Sequence, residues 1–219
     1  MRYVSTRGEA APLDFVEVML AGLARDGGLY VPEAWPALER GQLEGFAGRP
    51  YAEVAVEVLR PFVGGGIAEA DLARMAQEAY GTFRHPAVTP LTQLAPSLFV
   101  LELFHGPTLA FKDLAMQLVA RLMDHVLIQR GERTTIVVAT SGDTGGAAVE
   151  AFRGRAQVDV VVLFPQGRIS EVQRRMMTTA GDANVHAVAI DGTFDDCQAL
   201  VKAMFKDRKS TRLNSSHRS

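Results

Sequence analysis

Around Lys112 the chain reads Phe104-His105-Gly106-Pro107-Thr108-Leu109-Ala110-Phe111-Lys112-Asp113. An apolar run from Ser97 to Phe104 ends in His105-Gly106-Pro107, and the lysine follows just before a helical pattern. Leu109, Ala110 and Phe111 are aliphatic or aromatic, so the lysine is expected to be desolvated. Desolvation favours the neutral amine, the form that a Schiff-base lysine or a general base needs. A surface lysine opening a helix fits the same local residues.

Further along, Ala139-Thr140-Ser141-Gly142-Asp143-Thr144-Gly145-Gly146 directly follows a strand pattern and opens a helix. Exposed backbone N–H groups, the hydroxyls of Ser141 and Thr144 and a helix N-terminus together make an anion cradle, suited to a carboxylate or a phosphate. A well-capped strand–helix turn, with Asp143 or Thr144 as N-cap, is the plainer reading.

Three look-alikes fail. Gly142-Asp143-Thr144-Gly145-Gly146 is like a serine-protease nucleophile loop, but Thr144 stands where the serine must be. Asp191-Gly192-Thr193-Phe194 is like a haloacid-dehalogenase phosphatase loop, but Ala189 occupies the nucleophile position, which leaves a plain turn. No Gly-x-x-x-x-Gly-Lys-Ser/Thr phosphate loop occurs. His85, His105, His125, His186 and His217 lack metal-ligand spacing, so no metal is expected. His105 alone lies next to the lysine in sequence, where a structural hydrogen bond and a catalytic role are equally open.

Composition narrows the class. Apolar residues at 47% and charged residues at 22% describe an ordinary globular chain of 219 residues. A formal net charge of −2 gives no electrostatic case for nucleic acid or an anionic membrane as partner. No apolar stretch approaches the roughly 20 residues that span a bilayer, and the N-terminus has no signal-peptide core. The one cysteine, Cys197, fits a reducing compartment and reads as a buried small apolar residue. A cytoplasmic location is expected.

The elements follow from periodicity. Residues 1–85 read as a helical module without a cluster of catalytic residue types. Pro12-Leu13-Asp14-Phe15 opens a helix with Phe15, Val18, Met19, Gly22 and Leu23 on one face. Asp26-Gly27-Gly28 stops it, and Leu29–Pro32 is extended. Pro50–Phe62 is a second helix, with Val54, Val58 and Leu59 on one face. Gly64-Gly65-Gly66 breaks it, and Ala68–Tyr80 is a third. From Val88 strands and helices alternate: strand Leu98–Phe104, helix Asp113–Gln129 with Leu114, Leu118, Leu122 and Val126 in one stripe, strand Thr134–Thr140, helix Gly145–Phe152, strand Val158–Phe164, a helix capped by Ser170, strand Val185–Ile190 and helix Phe194–Phe205. Apolar strands each followed by a helix indicate an α/β fold with a covered parallel sheet. Ligands of such sheets bind at the carboxyl ends of the strands.

Residues 207–219 break this pattern. They hold one aliphatic residue, four Arg or Lys and four Ser. A native basic tail is one reading. The other is that Asp207–His217 resembles the conceptual translation of a sequencing-adapter read-through, which makes 207–219 a non-native tail.

Lys112 in His-Gly-Pro-Thr-Leu-Ala-Phe-Lys-Asp, followed by Thr-Ser-Gly-Asp-Thr-Gly-Gly-Ala-Ala, resembles the threonine synthase family. Tyr3-Val4-Ser5-Thr6-Arg7-Gly8 and Gly22–Pro32 resemble its N-terminal domain. Pro165–Ser170 and Asp191–Gln198 are similar to its catalytic region, so the resemblance covers residues 1–206. It implies a helical N-terminal domain (1–85) followed by part of a pyridoxal-phosphate (PLP) fold-type-II parallel-sheet α/β catalytic region (86–206). It implies PLP as cofactor and conversion of O-phospho-L-homoserine and water into L-threonine and phosphate. Lys112 would hold the cofactor and then shuttle protons, Phe111 would pack beside it, and Asp143 would lie near its 3′-oxygen. Ser141, Gly142, Thr144 and Gly145 would bind the substrate carboxylate, with His105 and Thr108 as further substrate contacts.

The family's phosphate-gripping loop, a Ser-Gly-Asn-Phe-Gly-like run, is missing here, as is its pyridine-nitrogen contact. The expectation is therefore a chain truncated at its C-terminus, unstable or inactive by itself. Two other readings stay in view. A different PLP lyase of the same fold, such as threonine dehydratase or cysteine synthase, is disfavoured by the Ser-Thr-Arg-Gly module. A non-catalytic threonine-synthase-like binding protein is disfavoured by Lys112 and the intact Ser141–Gly145 turn.

Overall fold

The structure, a computed structural model, describes the backbone of residues 1–215 and the side chains of residues 1–204. Two compact units divide it. The first holds residues 1–106 with 121–126, and the second holds 107–120 with the chain from 127 onward.

In the first unit β1 (Tyr3–Ser5) pairs antiparallel with β2 (Tyr30–Pro32). Asp14 starts α1 (Phe15–Ala21) by accepting the Glu17 N–H at 2.9 Å. The expected apolar face is not the one buried. Val16 is the residue buried in α1, and Leu23 is 48% exposed, because Gly22 at φ 70° turns the chain out of the helix before it. After the short α2 (Arg40–Glu44) comes α3 (Tyr51–Val63), which buries Val56 and Val63. Val54 and Val58 lie about half a turn from that line, so the predicted stripe is corrected. Gly64–Gly66 forms a 3₁₀ turn, and α4 (Glu69–Tyr80) buries Leu72, Met75, Ala76 and Ala79 at regular helical spacing.

The Asp26-Gly27-Gly28 break is also a junction. The Asp26 carboxylate accepts from Gly28 N–H and Ser5 O–H, each at 2.8 Å, and from the Ala10 and Glu9 N–H groups at 3.0 and 3.1 Å. These donors, the Gly28 N–H foremost, lower its pKa to about 2.

The expected strand Leu98–Phe104 is shorter and differently paired. Strand β4 (Leu98–Leu101) pairs antiparallel with β3 (Leu91–Ala95) in a two-stranded ribbon. Only Pro96 and Ser97 join them, and a parallel partner would need a long crossover.

The second unit follows the predicted alternation. It contains part of α5 (Asp113–Arg130), then β5 (Thr134–Ala139), α6 (Asp143–Phe152), β6 (Val158–Pro165), α7 (Glu171–Thr178), β7 (Val185–Ile190) and α8 (Phe194–Ser215). The strands form one parallel sheet in the order β5-β6-β7. Central β6 buries Val158, Val160, Val162, Leu163 and Phe164, and α6, α7 and α8 pack on the sheet. In α5 the stripe Leu118, Leu122 and Val126 is buried as expected. Helix α8 continues past Phe205 to Ser215, through most of the segment read as a tail. Positions 216–219 of that segment lie outside the described residues. Cys197 is fully buried, and burial raises its thiol pKa.

Candidate active site

Lys112 stands immediately before α5, at φ −62° and ψ −22°. The loop that delivers it is pinned from one buried side chain. Asp113, fully buried, accepts the Thr108 N–H at 2.8 Å on one oxygen and the Thr108 O–H at 2.7 Å on the other. A buried carboxylate is tolerable only when bonded in this way. The clamp closes a tight turn in which Leu109 takes φ 63°, a left-handed conformation unusual for a leucine. Backbone bonds from Asp113 N–H to Ala110 and from Met116 N–H to Lys112 complete it.

The lysine's surroundings differ from the hydrocarbon pocket expected. Leu109 and Phe111 are 50% and 58% exposed, flanking the amine without enclosing it. Lys112 Nζ lies 4.3 Å from the centroid of the Phe111 ring and 3.9 Å from Asp143 Oδ2. Adjacent side chains in sequence point to solvent here, and the amine meets a ring face and a carboxylate instead.

Asp143 belongs to the turn after β5, where strand β5 ends and α6 begins. Thr140, buried, holds this turn from inside: its Oγ1 accepts the N–H groups of Gly142 and Gly145, each at 2.9 Å. The N-cap is Gly142, at φ 138°, rather than Asp143 or Thr144. Asp143 and Thr144 occupy the first helical turn, whose N–H groups point along the helix axis without intrahelical acceptors. Ser141 is exposed and Thr144 half-buried. Gly145 is enclosed by Met177, Thr140 and Val162, which leave no room for a side chain. The cradle therefore offers two N–H groups and two hydroxyls.

His105 is placed in the first unit. Its Nε2 lies 2.6 Å from Glu102 Oε2, and Glu102 also accepts the Thr92 O–H at 2.7 Å. Those two bonds, Thr92 first, hold Glu102 below its usual carboxylate range. Phe104 stacks on the His105 ring and His85 lies beside it. Thr108 turns inward to Asp113. Sequence reasoning missed Thr140, Asp113 and Gln173 of α7, whose Nε2 donates to Asp143 Oδ1 at 2.8 Å. The Ser170-x-x-Gln173 spacing is that of a capping box, which could have marked Gln173 as a cap but not as this contact. Among the described residues no group of His, Cys, Asp and Glu could hold a metal ion, and no helix is long and apolar enough to cross a membrane.

An amine at the head of a helix, beside an acidic turn at the carboxyl end of a parallel strand, defines a class: α/β proteins whose candidate site lies at the end of a parallel strand. Residues 82–218 match the family model described as "Pyridoxal-phosphate dependent enzyme", and residues 2–80 match "Threonine synthase N terminus". The chain belongs to the pyridoxal-phosphate dependent enzyme family. It is 56% identical over 216 residues to the threonine synthase of Pseudomonas aeruginosa, covering 97% of this chain and 46% of that protein. It is 44% identical over 214 residues to the threonine synthase of Schizosaccharomyces pombe, covering 94% and 42%. The crystal structure of PLP-bound threonine synthase from Brucella melitensis superposes with a TM-score of 0.90 at 64% identity, covering 94% of this chain and 45% of that one. The chain thus spans about half the length of the relatives it matches.

The residues present fit the aldehyde end of pyridoxal phosphate. An aldehyde needs a primary amine, and Lys112 is the only lysine among the first 201 residues. Its side chain is 27% exposed on a pinned loop. That combines access with a fixed position.

Proposed function

We propose that this chain carries the lysine-bearing part of a threonine synthase, which converts O-phospho-L-homoserine and water into L-threonine and phosphate in the cytoplasm. The observation that carries the reading is the Lys112–Asp143 pair, a lone amine held beside the turn that follows β5. The names of the relatives, at up to 56% identity among the curated proteins given above, support the substrate.

Each residue then has a task. Lys112 Nζ holds the cofactor. Phe111 packs beside the cofactor's ring, and Asp143, whose carboxylate lies 3.9 Å from the amine, would lie near the cofactor's 3′-oxygen. When bound, pyridoxal phosphate supplies an electron sink that acidifies the substrate's Cα–H. Once substrate has displaced it, Lys112 takes that proton; a Cβ proton is then lost so that phosphate can leave Cγ, Cγ is protonated, water adds at Cβ, and Lys112 returns a proton to Cα. Ser141 and Thr144 offer hydroxyls to the substrate carboxylate, and Asp143 and Thr144 offer N–H groups. Gly142 and Gly145 shape the turn, since Thr140 already takes their N–H groups. Thr108 serves the site through the Asp113 clamp.

The same reading divides the chain into an N-terminal domain (1–85), a catalytic region (86–206) and a non-native tail (207–219). Sequencing the source gene through codon 207 tests the last: a frame departing from this tail supports it, and a frame encoding it rejects it.

The test of function uses the intact protein that carries this chain. Lys112→Ala is expected to abolish the absorbance of lysine-bound pyridoxal phosphate and the release of phosphate from phosphohomoserine. Absorbance retained in that variant rejects the assignment. Turnover of serine, threonine or O-acetylserine in its place would make the protein another lyase of the fold, and binding without turnover would make it a non-catalytic relative.

A further inference from the structure

Gln173 is thirty residues from Asp143 in sequence, yet its amide bridges two structures at once. Its Oε1 accepts from Ser170, from the O–H at 2.9 Å and from the N–H at 3.2 Å, closing the cap of α7. That fixes which end of the amide is which, so Nε2 is the end turned to Asp143 Oδ1 at 2.8 Å. The other carboxylate oxygen, Oδ2, is the one 3.9 Å from Lys112 Nζ. An independent feature commits the same amide to this place. A side chain at Gly142 would collide with Gln173 Cδ, Oε1 and Nε2, so the glycine clears the ground on which the amide lies. The backbone there, at φ 138°, is one that only glycine adopts readily.

We infer that Gln173 is a positioning residue: it sets the rotamer of Asp143 so that one carboxylate oxygen faces the Lys112 amine. Being neutral, it does so without removing the carboxylate's charge. The inference rests on the reading of Lys112 as the cofactor lysine.

The experiment separates this role from helix capping. Gln173→Glu keeps the cap, because a glutamate at that position serves a Ser-x-x-Glu box equally well. It replaces the donor to Asp143 by a second carboxylate. Ser170→Ala does the reverse, weakening the cap and leaving the Asp143 contact. The intact protein that carries this chain, freed of cofactor, is incubated with pyridoxal phosphate, reduced with borohydride, and the labelled lysine located by peptide mapping, with melting temperature recorded alongside. Gln173→Glu is expected to slow labelling at Lys112 by about threefold to tenfold, the scale of a charge-assisted bond at a partly exposed site. Ser170→Ala is expected to label at the parent rate. Should Gln173→Glu fail to fold, Gln173→Met removes the donor without adding charge and is expected to slow labelling likewise. Labelling at the parent rate in a folded Gln173 variant overturns the inference while the Lys112 reading stands. A parent chain that takes no label at Lys112 overturns both.

Discussion

Asp113 is the buried anchor of the loop that carries Lys112. Replacing Thr108 by valine removes the O–H that one buried carboxylate oxygen accepts and leaves that oxygen unpaired. Thr108→Val is expected to cost about 1–3 kcal/mol of stability in urea titration, while Thr108→Ser stays within about 0.5 kcal/mol. Equal stability of the two variants would remove the clamp from the account. Much of the site was legible because it is local: Lys112 and the Ser141–Gly145 turn announce themselves in short runs of sequence. The desolvated pocket was misread for the same reason, since Leu109 and Phe111 are neighbours in the chain but point to solvent. Gln173 reaches Asp143 from across the turn, and no spacing rule connects them.

At the scale of elements, Asp26 shows a break signal doing a second job. The aspartate ties its own turn, through Gly28, to the end of β1 at Ser5 and to the loop at Glu9 and Ala10, which no propensity for turns reveals. Its folded pKa lies at about 2, below the ordinary 3.8, so the folded state prefers the charged carboxylate. The stability it contributes is therefore full above the ordinary value and lost as pH falls toward the folded one. Comparing parent and Asp26→Asn by urea titration should give a constant difference from about pH 5 to 8 that shrinks below about pH 4. A difference that ignores pH would assign the bonds to Asp26's shape rather than its charge. Strands β5, β6 and β7 were readable as largely apolar runs, and central β6 is buried over most of its length. Strand β1 was missed because three residues carry no period. The β3–β4 ribbon was misassigned because an apolar run does not say whether its partner is parallel.

For the whole molecule, that ribbon is an exposed run of large apolar residues in the first unit. Leu91, Leu94, Leu98, Phe99, Val100 and Leu101 are each between 43% and 66% exposed, on a two-stranded sheet with open edges. Such ribbons invite pairing between chains. The isolated 219-residue chain is expected to self-associate as concentration rises, and Leu94→Lys with Phe99→Lys to suppress it by light scattering. Undiminished scattering would place the sticky surface elsewhere. The sheet of the second unit has a different temporal consequence. Its spatial order β5-β6-β7 repeats its order in the chain, so each strand leaving the ribosome finds its partner already made. Assembly can run in one direction with synthesis, and no early strand has to wait for a distant one before the next can be added.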